Sequence, residues 1–125
     1  MELQTGIDLV EVSRIQKSLQ NSRFLQRVFS REERALFVQR GGNPQTIAAN
    51  FAAKEAFAKA IGTGVRGFAL DEVALLRDQL GKPYFQLSGR ALALVEAHQW
   101  TLAVSVTHTR AYASAVVVCY GGKNR

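Results

Sequence analysis

Thr46-Ile47-Ala48-Ala49-Asn50-Phe51-Ala52-Ala53-Lys54-Glu55-Ala56-Phe57-Ala58-Lys59-Ala60-Ile61-Gly62 decides the fold. Rich in alanine and free of Pro and of interior Gly, it is the strongest helix former in the chain. Gly62 supplies the stop, and Gly64 and Gly67 continue the break as a loop. Ala48, Ala52, Glu55 and Lys59 share one helical face, so small residues sit beside an acid and a base. Such a face admits another backbone or a ligand at close range.

Toward the N-terminus, Leu3 to Leu9 reads as a strand with Leu3, Ile7 and Leu9 on its apolar face, and Asp8 points away from that face. The period changes at Val12, where Val12, Ile15 and Leu19 form a helical stripe. Arg14, Lys17, Arg23, Arg27 and Arg31 follow with no acidic residue among them. Ser30 and Glu33 form a capping-box pair, so a helix is expected from Arg31 with Leu36 and Phe37 inward. Gly41-Gly42-Asn43-Pro44 reads as a loop before the long helix.

Toward the C-terminus, Val73 to Leu76 and Tyr84 to Leu87 read as strands around a turn at Gln79-Leu80-Gly81-Lys82-Pro83. Ser88 is placed to cap a short helix reaching Ala97, with Leu92 and Val95 on its buried side. Thr101 to Thr107 and Tyr112 to Tyr120 form a final antiparallel hairpin. Val116-Val117-Val118 suits a strand covered on both faces.

The length of 125 residues and 47% hydrophobic content fit one domain spanning 1–125 with a modest core. A formal net charge of +6 and a pI near 10.0 favour an anionic partner. The single cysteine, Cys119, excludes an intrachain disulfide and reads as a small apolar strand residue. The N-terminal residues lack the basic start and apolar run of a secretory signal, and no apolar run is long enough to span a bilayer. A cytoplasmic protein with no membrane partner is expected.

Three elements carry candidate chemistry: Gly6-Ile7-Asp8, Phe51 to Ala60, and Ser105-Val106-Thr107-His108-Thr109. Singly, each has an ordinary structural role. Asp8 suits a helix cap, Glu55 and Lys59 suit a surface pair, and His108, in phase with Leu102, Val104 and Val106, suits the end of a core strand. Ser105 and Thr107 face away from His108, which excludes a triad. Gly62-Thr63-Gly64 follows a helix, whereas a phosphate-cradling loop follows a strand. Together, Asp8 and Glu55 suit magnesium, which keeps several waters and takes phosphate oxygens from a substrate. The absence of a Cys/His cluster argues against structural zinc.

These residues carry a resemblance. Gly6-Ile7-Asp8-Leu9-Val10-Glu11-Val12-Ser13-Arg14-Ile15 is similar to the opening of the holo-[acyl-carrier-protein] synthases, the small bacterial class of 4'-phosphopantetheinyl transferases. Phe51 to Gly64 resembles that family's central signature almost throughout. Arg27-Val28-Phe29-Ser30 before Glu33, Gly81-Lys82-Pro83 and Ser105 to Thr109 follow in family order.

The resemblance implies an α+β fold, with an antiparallel sheet packed against one long and several short helices. It further implies a homotrimer with the active sites at subunit interfaces. The implied activity moves the 4'-phosphopantetheine arm of coenzyme A to a serine of apo-acyl carrier protein, releasing adenosine 3',5'-bisphosphate, in support of fatty acid biosynthesis. It assigns magnesium to Asp8 and Glu55, phosphate neutralisation to Lys59, and the nucleotide side of the cleft to Lys82, Pro83, His108 and Thr109. Arg14, Arg23 and Arg27 would face the acidic carrier. Glu55, directly or through a metal-bound water, is the expected acceptor of the serine proton, with His108 as the rival. Two positions depart from the pattern: Asn50 stands where many relatives carry an arginine, so one expected phosphate contact is either missing or supplied elsewhere, and Thr107 replaces a serine while keeping the hydroxyl.

A basic nucleic-acid-binding module is the competing reading, since Phe24 and Phe29 interleave the basic stretch. No nucleic-acid motif accompanies them, and helical spacing explains Phe24 as core. A catalytically dead oligomerisation scaffold is the third reading, opposed by Asp8, Glu55 and Lys59.

Overall fold

The computed structural model describes residues 2–122; Met1 and the last three positions of the expected domain lie outside the described residues. In chain order the elements are β1 (Glu2–Glu11), α1 (Val12–Ser18), α2 (Phe24–Val28), α3 (Arg31–Gln39) and α4 (Pro44–Ile61). A 3-10 turn at Leu70–Glu72 leads to β2 (Val73–Arg77), β3 (Pro83–Leu87), α5 (Gly89–His98), β4 (Trp100–His108) and β5 (Tyr112–Gly121). β1, β5 and β4 form an antiparallel sheet in that order, and β2 and β3 form a separate hairpin. The expected α+β architecture, with one long and several short helices, is therefore present.

α4 is buried around nearly its whole circumference, with Ala48, Ala52, Ala53, Ala56 and Phe57 fully inside. A helix apolar on all sides belongs at the centre of a fold. Here it lies on the β1–β5–β4 sheet and meets β2 and α1 with its other sides. Its N-terminus precedes the expected start at Thr46, because Asn43 Oδ1 accepts from Gln45 N at 2.8 Å and Pro44 occupies the first helical position. Proline there has a suitable φ and forfeits only a donor that the helix leaves unpaired anyway. Gly62 closes the helix in the left-handed region, as its sequence position predicts.

β1 reverses the expected orientation. Gly6 and Val10 are buried, whereas Leu3, Ile7 and Leu9 are exposed, Leu3 by 70%. The apolar face lies outside because the opposite face must admit α4. A Cβ at Gly6 would collide with the Ala56 carbonyl oxygen and come within 2.6 Å of Ala60 N. Only glycine allows two backbones so close. Gly6→Ala is expected to force β1 and α4 apart at a cost of about 1–3 kcal/mol, typical of an overfilled core. The urea midpoint measures it, and an unchanged midpoint would show that the two elements part freely.

The capping box at α3 is present in both halves, Glu33 N donating to Ser30 Oγ and Ser30 N to Glu33 Oε1. Phe37 is buried and Leu36 half-buried. At α5 the expected cap is replaced: Ser88 makes no side-chain bond, and Glu72 accepts from Arg90 N at 3.2 Å. The helix stripe runs through Ala91 and Val95, which leaves Leu92 exposed. Val117 is buried while Val116 is exposed, so within one chain the valine run is covered on one face only. Cys119 lies in the core, where burial raises its thiol pKa and leaves an inert apolar side chain. Among the described residues no helix is long and apolar enough to cross a membrane.

Candidate functional site

The approach at Gly6 brings Asp8 and α4 together. Asp8 follows Gly6 by two residues, on the same face of β1, and meets α4 at Lys59. Lys59 Nζ donates to Asp8 Oδ1 at 3.0 Å and to the Ile7 carbonyl at 3.0 Å. Lys59 thus pairs with Asp8 across the fold; among the described ion pairs it has none with Glu55 one turn earlier. Nor does Asp8 cap α1. The strand continues to Glu11, which takes the N-cap position without a side-chain bond. Ser114 Oγ donates to the Asp8 carbonyl at 2.8 Å and ties this part of β1 to β5.

Glu55 is half-buried beside them, and its pKa is raised, first by desolvation and then by the negative charge of Asp8. Lys59 and Arg14 pull it the other way. Two carboxylates crowd together, with cations on two sides. Such a pair lowers its energy by sharing a cation. Among the described residues no group of three His, Cys, Asp or Glu side chains converges, so a cation here would need water or substrate oxygens to complete its shell. That donor set fits magnesium and does not fit a structural zinc.

The other site candidates are dispersed within one chain. Val106, not His108, lies in register with Asp8 through Ala115, two strands away. Strand spacing therefore separates the His108 and Asp8 backbones by roughly 12 Å. Thr109 shapes the β4–β5 turn, its Oγ1 accepting from Ala111 N at 3.3 Å and Tyr112 N at 3.1 Å. Lys82, just before β3, and Pro83, its first residue, line a pocket with Trp100 to Ser105 of β4, and Asp78 Oδ1 accepts from Lys82 N. Arg14 is exposed on α1 beside the carboxylates, while Arg23 and Arg27 are exposed around α2.

Two features escaped the sequence reading. Glu33 is completely buried and accepts from Lys54 Nζ at 2.5 Å, Asn50 Nδ2 at 2.9 Å and Leu75 N at 3.2 Å. Lys54 also donates to the carbonyls of Leu70 and Val73. This ion pair joins α3, α4 and β2 one residue before Glu55. A signal existed: Ile47, Asn50, Lys54, Phe57 and Ile61 form a core stripe in which two polar residues must find partners. The second feature is Arg77, whose Nη2 donates to Asn50 Oδ1 at 3.1 Å. Asn50 is fully buried, so this position serves the interior.

Known proteins are similar to this chain in sequence and in shape. The model of the 4'-phosphopantetheinyl transferase superfamily matches residues 4–117. The holo-[acyl-carrier-protein] synthase of Clostridium beijerinckii is 42% identical over 114 residues, covering 90% of this chain and 93% of that protein. The enzyme of the same name from Treponema denticola is 43% identical over 123 residues, covering 97% and 100%. Among solved structures, the Neisseria meningitidis holo-[acyl-carrier-protein] synthase superposes with a TM-score of 0.88 at 32% identity, covering 94% of this chain and 98% of that one. The Chronobacterium ammoniagenes ACPS–CoA complex gives 0.86 at 29% identity, covering 98% and 100%. With the sequence match spanning nearly its whole length, the chain belongs to the holo-[acyl-carrier-protein] synthase family of 4'-phosphopantetheinyl transferase enzymes.

Proposed function

We propose that this enzyme transfers the 4'-phosphopantetheine arm of coenzyme A to a serine of apo-acyl carrier protein in a magnesium-dependent reaction that serves fatty acid biosynthesis. The carrying observation is the gathering of Asp8, Glu55, Lys59 and Arg14 at the Gly6 approach in a chain of this family. Incubation with coenzyme A, magnesium and apo-carrier, followed by mass spectrometry of the carrier, tests it. A carrier heavier by one phosphopantetheine is expected, and an unmodified carrier would refute the reading.

Asp8 and Glu55 are the residues that would hold the metal. When bound, magnesium polarises the pyrophosphate and offsets developing negative charge. The chain's own groups perform the remaining work. Lys59 has three N–H donors, two of them taken by Asp8 and Ile7, so one is available to a phosphate oxygen. Glu55, a half-buried carboxylate beside Asp8, is the chain's group placed to accept the serine proton. The serine oxygen bonds to the phosphorus bearing the pantetheine arm as its bond to the bridging oxygen breaks, and adenosine 3',5'-bisphosphate departs.

The quaternary reading is a homotrimer. Leu3, Ile7 and Leu9 of β1 lie in register with Tyr120, Val116 and Ser114 of β5, forming a largely apolar exposed face of the sheet. Large exposed apolar faces mark association. A neighbouring chain would cover the valine run and supply the nucleotide-side residues, His108 and Thr109, that one chain holds away from Asp8. Light scattering is expected to give three times the chain mass, and a fully active monomer would refute the trimer.

The exposed basic surface is proposed as the carrier's docking site. Arg14→Glu is expected to raise KM for the carrier by one to two orders of magnitude, roughly 1.4–2.8 kcal/mol, and to leave KM for coenzyme A little changed. Because Arg14 also acts electrostatically on Glu55, its reversal should lower kcat as well. Arg27→Glu, in the last turn of α2, isolates docking. Its carrier KM should rise alone and grow with salt, and unchanged carrier kinetics would move docking elsewhere.

A further inference from the structure

Gly62 leaves α4 three residues after Lys59 and seven after Glu55, spacings that return to one face of a helix. The chain therefore exits over Lys59 and Glu55. Residues 63–67 are all exposed, and among the described residues they hydrogen-bond only within their own stretch, Thr63 Oγ1 and Arg66 N both donating to the Gly64 carbonyl at 2.8 and 2.9 Å. Both ends, by contrast, are fixed. Gly62 N donates to the Lys59 carbonyl at 3.2 Å, while Phe68 is buried with its ring 5.4 Å from that of Phe57 and Lys54 Nζ holds the Leu70 carbonyl just beyond.

Between these anchors lies a strap whose single charge is Arg66, with Gly64 and Gly67 on either side at φ values of 61° and 80°. Glycine turns there without strain. A stretch with fixed ends and no bonds to the body of the fold moves its tip at little cost. Neither ion pair among the described residues includes Arg66.

The site beneath the strap is short of positive charge for a polyphosphate ligand. Asp8 and Glu55 are carboxylates, and the last turn of α4, which carries Lys59, presents the negative end of the helix dipole. A divalent cation would offset the two carboxylates. Lys59, which already serves Asp8 Oδ1 and the Ile7 carbonyl, would offset one of the two charges on the pyrophosphate of the donor. Arg14, the other cation beside Glu55, is assigned to the carrier above. One negative charge is left next to a helix end that repels it. Arg66 is the nearest further cation along the chain, since the four residues beyond Gly62 extend at most roughly 14 Å and the side chain adds its own length.

We propose that Arg66 binds the pyrophosphate of the coenzyme A donor, carried down onto Lys59 by closure of the strap of residues 62–67. The inference rests on the transfer reaction above. Its planar fork of donors matches two phosphate oxygens. The contact is made by a side chain and needs no glycine backbone cradle, which belongs to loops that open a helix.

Steady-state kinetics with coenzyme A and carrier varied in turn test the contact. Arg66→Gln is expected to raise KM for coenzyme A about tenfold and leave carrier KM within about twofold, with Arg66→Lys recovering part of the loss. The rise should persist with 3'-dephospho-coenzyme A, which keeps the pyrophosphate. A rise that vanishes with that donor, a rise confined to the carrier, or an unchanged coenzyme A KM overturns the proposal. Limited trypsin digestion of the full chain reads the closure: with coenzyme A and magnesium, cleavage after Arg66 should slow about tenfold, while cleavage after the exposed Arg40 stays within about twofold. Equal protection at both sites would report general stabilisation and count against the strap. The Arg66 side chain is exposed and unbonded among the described residues, so the variant should melt with the wild type. If the wild type modifies its carrier and Arg66→Gln does so with unaltered coenzyme A KM, only this inference falls. If the wild type leaves the carrier unmodified, the transfer reading falls, and equal calorimetric affinity of wild type and Arg66→Gln for coenzyme A would remove Arg66 separately.

Discussion

Asp8→Ala or Glu55→Ala is expected to lower the rate of phosphopantetheine transfer by about 10³-fold or more, roughly 4 kcal/mol of transition-state stabilisation. The reaction develops charge on a pyrophosphate, and two adjacent carboxylates are the means by which this chain would retain a divalent cation there. Neither residue holds the fold together. The Asp8–Lys59 pair is partly exposed, with just over half of the Lys59 side chain in contact with water, and such pairs contribute about 0–1 kcal/mol. Removing Glu55 relieves a repulsion with Asp8, so Glu55→Gln should melt at or slightly above the wild-type temperature without metal. Rates measured by carrier mass, together with thermal melts, check both statements. Near-normal turnover in either alanine variant at ordinary magnesium would remove that carboxylate from the metal site.

Breaking the Glu33–Lys54 pair should produce the largest loss of stability. Lys54→Met leaves the Glu33 carboxylate buried without its cation, a change worth about 3–5 kcal/mol. Since domains of this kind are stable by only about 5–15 kcal/mol, the variant would lie close to unfolding at physiological temperature. Burial alone lowers the Lys54 pKa, and Glu33 counters it. Three acceptors around Nζ and the donors around the carboxylate suit the charged forms. The double variant Glu33→Met, Lys54→Met removes both charges, yet it should recover only part of the loss. Ser30 N, Leu75 N and Asn50 Nδ2 would each lose an acceptor. Urea midpoints of the singles and the double separate these contributions, and additive losses would show that the pair is not coupled.

Local signals carried much of the architecture into the sequence. Alanine content and Gly62 marked the long helix, and the Ser30–Glu33 capping box and the final hairpin were legible because each depends on neighbours within a few residues. The candidate site was named through the family motifs, which single out Asp8, Glu55 and Lys59; spacing alone could not join Asp8 to a helix half a chain away. Pro44 was misread as part of a loop, since the same residue that breaks a helix interior also begins one.

By itself the sequence determined the periodicity of most elements, the stop of the long helix at Gly62, and the family to which the chain belongs. The tertiary structure alone decided which face each element buries. Alternation in β1 marks two faces equally well, and it was the backbone contact at Gly6 that put Asp8 inward and Leu3, Ile7 and Leu9 outward. Likewise, Lys59 chose Asp8, 51 residues away, over Glu55 one turn distant, and Lys54 chose Glu33 across 21 residues. Arg77 reached Asn50 across 27. Such pairings depend on which surfaces meet when the helix settles on the sheet, and a buried charge takes the partner that packing brings to it.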